Sequence, residues 1–116
     1  MKYRRLKLQD FLREEISLII QRDIKDPGFG LITILDVEMT KDLKHAKVLY
    51  SIYGDDAVKE KTAQALKRSK GYIKFLLGDR IKLRYMPDIT FVFDDSYEKI
   101  ARIEEILKKE AHDRED

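Results

Sequence analysis

Two runs of alternating apolar and polar residues, LITILDVEMT at 31–40 and HAKVLYSIY at 45–53, do most to limit the folds open to this chain. Alternation with a period of two is the pattern of a β-strand that buries one face. The runs are separated by KDLK, a suitable length for a hairpin loop. The pattern therefore predicts a β-hairpin whose buried face carries Leu35, Val37 and Met39 from the first run and Ala46, Val48, Tyr50 and Ile52 from the second.

Helical patterns surround this hairpin. Residues 8–24 place apolar side chains at spacings of three and four, which predicts a first helix that ends before Pro27. Residues 57–77 are helical in character and stop at Gly78, and the strand ITFVF follows. A last helix is expected after an N-cap at Asp95 or Ser96. The order of elements predicts one α+β domain.

A glycine interrupts the second helical segment. Glycine inside a helix costs about 1 kcal/mol relative to alanine, so either the segment bends at Gly71 or something approaches its backbone closely. The small residues Ser69 and Gly71 favour a kink that joins two helices over an uninterrupted helix. We therefore predict an interhelical kink at Ser69, Lys70 and Gly71.

Positive charge is concentrated around this glycine. The chain has a net charge of only +2, but residues 57–90 hold nine lysines and arginines against three acids. Acids outnumber bases in residues 26–56 and again in 91–116. Such sorting suggests a basic face that meets a polyanion. The candidates for contact with nucleic acid are Arg4, Arg5, Lys67, Arg68, Lys70, Lys74, Arg80, Lys82 and Arg84, and the alternative is a solvated basic face without a partner.

Some of these candidates carry additional expectations. Arg4 and Arg5 are placed before the first helix, free to reach a phosphate or to form a disordered basic tip. Arg80, Lys82 and Arg84 are expected in one row of an extended segment. Phe75 falls away from the apolar arc of a straight helix and could stack on a base, although burial after a kink is the favoured interpretation.

Several chemical classes find no support in the sequence. The chain has no cysteine, which excludes disulfides and zinc fingers, and its two histidines lack metal-ligand spacing. The adjacent acids Asp55–Asp56 and Asp94–Asp95 are interpreted as helix caps, not as acid–base pairs. We therefore expect no catalytic residues, cofactor, metal or small-molecule substrate. With no apolar stretch long enough to cross a membrane, the chain is expected to be cytoplasmic. We also expect a monomer.

Two longer stretches identify a family. ITILDVEMTKDLKHAKVLYSIYG, SKGYIKFLLGDRIKLRYMPDITFVFDDS and the spacing between them resemble the ribosome-binding factor A family over essentially the whole chain. The resemblance implies a type II KH-like domain of order α-β-β-α-kink-α-β, with helices packed on one face of a three-stranded sheet, plus a C-terminal helix. It also implies that an Ala-x-Gly kink, here Ser69-Lys70-Gly71, replaces the GxxG loop of standard KH domains.

The resemblance further implies a division of the chain and a function. Residues 1–95 would form the RNA-binding domain, and residues 96–116 a C-terminal helix and a partly flexible tail. The protein would bind the 30S subunit and its 16S rRNA, assist late maturation and processing of the rRNA 5′ end, and matter for growth in the cold. The alternative is an adaptor that docks a partner through Asp36, Glu38 and the C-terminal helix.

Overall fold

The computed structural model describes residues 2–81, 83 and 85–115, which form three helices and three strands. In chain order these elements are α1 (Lys2–Arg22), β1 (Leu31–Met39), β2 (His45–Tyr53), α2 (Asp56–Arg80), β3 (Asp88–Phe93) and α3 (Ser96–Glu115). The predicted α+β class and the predicted hairpin are confirmed.

The three strands form one mixed sheet with β2 in the centre. β1 pairs with β2 in antiparallel fashion, whereas β3 lies parallel to β2 along its other edge. A parallel pair cannot be joined by a tight turn, because the chain must return to the same end of the sheet before the next strand begins. α2 provides this return between β2 and β3.

A β-bulge corrects the expected buried face of β1. Ile34 is opposite Tyr50 and Asp36 is opposite Leu49, which leaves Leu35 as an extra residue in β1. Ile34 is consequently buried in the core, and Leu35, predicted to be buried, is only half-buried. Strict alternation resumes after the bulge, so Val37 and Met39 lie in the core as expected.

The core lies between one face of the sheet and the helices α1 and α2. Its fully buried members come from every layer. They include Leu12, Ile16 and Ile19 of α1, Leu66, Ile73 and Leu77 of α2, and Val37, Val48 and Ile89 of the sheet. This is the predicted arrangement of helices on one face of a three-stranded sheet.

The second helical segment differs from its prediction. α2 is one unbroken helix of 25 residues that passes through Ser69, Lys70 and Gly71, so the predicted division into two helices is wrong. The main-chain N–H groups on both sides of a helical glycine can keep their partners, and α2 follows this course. At its start, the side chain of Asp55 accepts a hydrogen bond of 2.9 Å from Val58 N, as the cap prediction requires.

The first helix also begins earlier than its apolar pattern. It starts at Lys2, six residues before the expected position, and therefore includes Arg4 and Arg5. The prediction that these arginines precede the helix is wrong, because straight-chain basic residues have good helix propensity even without an apolar stripe.

The third helix carries an uncovered apolar stripe. Ile100, Ile103, Ile106 and Leu107 of α3 are each between 55% and 59% exposed. The side chain of Asp94 accepts a hydrogen bond of 2.9 Å from Ser96 N at the start of this helix.

Candidate nucleic-acid interface

The candidate site is a face of α2 formed by Lys67, Lys70, Gly71 and Lys74, which we call the lysine face. These residues are spaced as i, i+3, i+4 and i+7, and such positions are neighbours on a helix surface. Lys67 is exposed, whereas Lys70 and Lys74 are half-buried. Long lysine stems can cover apolar surface while the ammonium group stays in water.

Gly71 leaves open space in the middle of the lysine face. A Cβ atom added at Gly71 would have no heavy atom within 4 Å. Packing within the protein therefore does not require glycine at this position. Because glycine has no side chain, a phosphodiester chain can approach the backbone between the three lysines more closely than it could at any other residue type.

The lysines differ in their contacts with acids. Lys74 Nζ is 3.9 Å from Asp88 Oδ1, a long contact between side chains that are 37% and 62% exposed. An exposed pair of this kind contributes little and can be exchanged for a phosphate. Within the described part of the chain, Lys67 and Lys70 form no ion pair, so their charges are also available.

Arg68 has a structural contact instead. Its Nε and Nη2 atoms donate hydrogen bonds of 3.1 Å each to the two carboxylate oxygens of Asp26, in the loop after α1. Gly28 N donates a further bond of 2.8 Å to Asp26 Oδ1. The guanidinium of Arg68 and this N–H hold the pKa of Asp26 below its usual value. The guanidinium of Arg68 therefore stabilises the fold, whereas the neighbouring Lys67 and Lys70 have no such contact in the described part of the chain.

Arg80 is also engaged within the protein. Its Nη2 atom is 2.7 Å from Asp23 Oδ2, and its Nη1 atom is 3.4 Å from Glu15 Oε2. Hydrogen bonding to Asp23 raises the pKa of Arg80. Arg80 thus ties the last turn of α2 to α1 and does not belong to an extended row, which corrects the sequence prediction.

Arg4 and Arg5 lie apart from the lysine face, on α1. Arg4 lines a cavity of about 610 Å³ together with Leu8, Leu43, Lys44 and Tyr85. Arg5 is half-buried, and its Nε atom is enclosed without a hydrogen-bond partner in the part of the chain that the structure describes. Lys82 and Arg84 lie outside the described residues, so their assignment to RNA stays a prediction.

Two aromatic side chains beside the lysine face are more exposed than expected from the sequence. Phe75 is 68% exposed and Tyr72 is 51% exposed, so the expectation that Phe75 is buried is wrong. The reason is the unbroken course of α2, which keeps Phe75 on the outward side. The straight-helix projection already contained this signal, because it placed Phe75 away from the apolar arc.

The described residues offer little for other kinds of site. Among them, no group of three or more histidine, cysteine, aspartate or glutamate residues is placed to hold a metal ion. No helix within the same residues is both long and apolar enough to span a membrane.

The fold and the lysine face together define a small KH-like α+β domain with a cationic helix surface. Residues 4–107 match the family model described as ribosome-binding factor A. A protein of that name from Halothermothrix orenii is 46% identical over 119 residues, which cover 99% of this chain and 98% of the relative. The chain belongs to the ribosome-binding factor A family.

Solved structures show the same fold. The crystal structure of ribosome-binding factor A from Thermus thermophilus has a TM-score of 0.68 and 24% identity, covering 77% of this chain and 93% of that one. A second match is a homology model of the Thermus thermophilus factor, fitted into a cryo-electron microscopy map of a 30S complex of that factor. It has a TM-score of 0.58 and 24% identity, covering 79% of this chain and 92% of that one.

Proposed function

We propose that this protein binds the 30S ribosomal subunit by contacting its 16S rRNA through the lysine face. The observation that carries the proposal is the set of three accessible lysines around the open backbone of Gly71. A likeness in fold to a factor fitted into a 30S complex supports the same partner. Because lysines act as point charges on phosphates, binding depends on the shape of the RNA backbone more than on base sequence.

In this proposal the protein assists late 30S maturation and processing of the 16S rRNA 5′ end without cleaving RNA itself. It acts as a cytoplasmic monomer that holds immature rRNA in a conformation accessible to nucleases, and its contribution is greatest in the cold, where RNA rearranges slowly. Residues 1–95 form the RNA-binding domain, and residues 96–116 form a C-terminal helix and tail.

The test is co-sedimentation with purified 30S subunits at low and high salt. The variant Lys67→Glu/Lys70→Glu/Lys74→Glu should lose binding while its circular dichroism and melting curve remain those of a folded protein. The matched control is Lys25→Glu/Lys41→Glu/Lys61→Glu, which makes the same change in net charge at three exposed lysines outside the lysine face. The control should retain most of the binding.

Equal losses in the two triple variants would indicate an effect of net charge and would contradict a defined interface. Undiminished binding by the lysine-face variant would place the contact elsewhere, for example at Arg4 and Arg5 or on a ribosomal protein. Cleavage of 16S rRNA by the purified protein alone would contradict the non-catalytic role.

The second candidate is an adaptor that docks a protein partner, and the exposed isoleucines of α3 favour it. The adaptor hypothesis also needs the acidic face of the hairpin. The negative charge of that face is reduced by a cross-strand ion pair, in which Glu38 Oε2 lies 3.3 Å from Lys47 Nζ. The variant Asp36→Lys/Glu38→Lys should abolish binding to 30S subunits if the adaptor hypothesis is correct. It should have little effect if the lysine face carries the binding.

A further inference from the structure

Tyr72 and Phe75 form an exposed aromatic pair on α2. Their ring centroids are 6.5 Å apart and their planes meet at 27°, a stacked arrangement. Burying an aromatic side chain is strongly favourable, so two adjacent rings left this open to water have a surface available for a partner. They are the exposed large apolar residues of α2; the other large apolar side chains of this helix are partly or fully buried.

The pair lies directly beside the lysine face. Phe75 follows Gly71 by four residues and therefore occupies the next turn on the same side of the helix. Lys67, Gly71 and Phe75 form a single row at intervals of four residues, and Lys74 adjoins it. A chain that crosses the open backbone at Gly71 would thus meet a lysine in one direction and the ring of Phe75 in the other.

The surroundings of the pair favour a nucleic acid over a protein. Both exposed residues are aromatic. Tyr72 shares a groove with Lys25 and with two acids that are paired to arginines, Asp26 to Arg68 and Asp23 to Arg80. Phe75 has Lys74 on one side and an exposed acid, Asp79, one turn further along α2. The exposed residues of α3 offer a contrast, since all four are aliphatic and are mixed with charges of both signs. A nucleic acid uses both features, because its phosphates pair with the cations and its bases stack on the rings. An apolar protein partner would need neither cations nor aromatic faces.

We propose that Tyr72 and Phe75 form a stacking platform for unpaired RNA bases whose backbone is held by the lysine face. The inference rests on the proposed function and narrows its target to single-stranded RNA. Bases in a duplex are already stacked on one another, but bases in loops and ends can be splayed out onto aromatic side chains. Stacking on a ring is largely independent of base identity.

A tryptophan at position 75 provides a direct probe, because the chain contains no tryptophan. The variant Phe75→Trp should bind 30S subunits normally, and its fluorescence should be quenched by those subunits and by a single-stranded oligoribonucleotide. The same oligonucleotide in a perfect duplex should quench much less. Inorganic polyphosphate, which offers negative charge without bases, should bind at low salt and leave the fluorescence almost unchanged.

Substitution tests whether the ring contributes to affinity. Phe75→Ala should weaken binding of the single strand by roughly 5- to 150-fold, the range corresponding to one stacked base. Phe75→Leu should behave similarly, since it keeps apolar bulk and loses the aromatic face. The control is Tyr53→Ala, which removes a side chain that is 82% exposed at the end of β2 and should leave affinity unchanged.

The outcomes separate this inference from the function on which it rests. If the wild type binds 30S subunits and Phe75→Trp binds without quenching, the stacking platform is overturned and the lysine face survives. If Phe75→Leu retains full affinity for the single strand where Phe75→Ala loses it, the contact needs apolar bulk and not an aromatic face, which also overturns the platform. If the wild type binds neither 30S subunits nor RNA at low salt, the proposed function itself fails.

Discussion

Arg68 holds Asp26 with two parallel hydrogen bonds of 3.1 Å, from Nε to Oδ2 and from Nη2 to Oδ1. This bidentate contact joins the middle of α2 to the loop between α1 and β1, across 42 residues of sequence. Two consequences follow. The loop is fixed against α2, and the charge of Arg68 is withdrawn from the lysine face beside it.

The Arg68–Asp26 contact predicts a loss of stability in acid. Because the pKa of Asp26 is lower in the folded protein than in the unfolded chain, this carboxylate stabilises the fold at pH values above its unfolded pKa. That contribution is lost as the pH falls through the folded pKa. Asp26→Asn should therefore lower the free energy of unfolding at pH 7, and the difference from wild type should shrink toward pH 3.

Urea denaturation at several pH values measures this effect, and Arg68→Gln provides the control. Arg68 is the largest cause of the shift, so Asp26→Asn should have a smaller pH-dependent effect when Arg68 has already been replaced. A gap between wild type and Asp26→Asn that stays constant from pH 7 to pH 3 would show that the Asp26 carboxylate is not titrating as the contact requires.

Gly71 is predicted to serve binding at the expense of stability. Gly71→Ala should raise the free energy of unfolding by about 1 kcal/mol, because the added methyl group meets open space and alanine is the better helix former. Gly78→Ala is the matched control on the same helix, where an added Cβ would make an ordinary contact of 3.6 Å with Met86 Cε.

Both alanine variants should be stabilised in chemical denaturation, but Gly71→Ala alone should weaken co-sedimentation with 30S subunits. The physical reason is that the methyl group occupies the space through which an RNA backbone would approach the lysine face. Unchanged binding by Gly71→Ala would remove the argument for close approach at this position.

Thr62 is predicted to secure the glycine-rich loop GFG at 28–30. Its side chain is completely buried, its hydroxyl donates to Val58 O at 2.8 Å, and it accepts a bond of 3.0 Å from Gly30 N. Thr62→Val keeps the shape but leaves the Gly30 N–H without its partner. We expect a loss of about 1–3 kcal/mol in unfolding free energy.

Thr62→Ser is the companion variant, because it keeps the hydroxyl and removes one methyl group. Thermal and urea melts should show it to be less damaging than Thr62→Val. If serine were the worse replacement, packing of the methyl group would matter more than the hydrogen bond to the loop.

The cations of α2 are predicted to divide into two groups by their salt dependence. Three lysine contacts with phosphate would weaken 30S binding roughly 20- to 40-fold for a fourfold rise in salt. Replacing Lys70 with glutamine should reduce the slope of log affinity against log salt by about 0.7–0.9. Arg80→Gln should leave that slope unchanged and should instead lower the melting temperature, because Arg80 contacts Asp23 and Glu15.

Affinity titrations at four salt concentrations, combined with thermal melts, distinguish these two groups. A reduced slope for Arg80→Gln would mean that Arg80 leaves its acidic partners and contacts RNA in the complex.

Much of the fold could be predicted from local pattern. The hairpin, the alternating buried residues of β2 and the cap at Asp55 all follow from periods and signals that span a few residues. The bulge at Leu35 could not be predicted in this way, since an extra residue in one strand is visible only when its partner strand is known. The predicted division at Gly71 was wrong because one glycine costs a helix only about 1 kcal/mol, and Ser69 and Ile73, before and after it in the chain, are both buried against the core.

Pattern and charge along the chain were enough to predict the family, the order of helices and strands apart from the division of α2, and the concentration of positive charge on α2. They were enough because backbone geometry sets the helical and strand periods, and because total charge can be counted along the chain. Which cations remain available depends on contacts made in the folded protein. Arg68 and Arg80 have acidic partners 42, 57 and 65 residues away, and only folding brings these charges within hydrogen-bond distance.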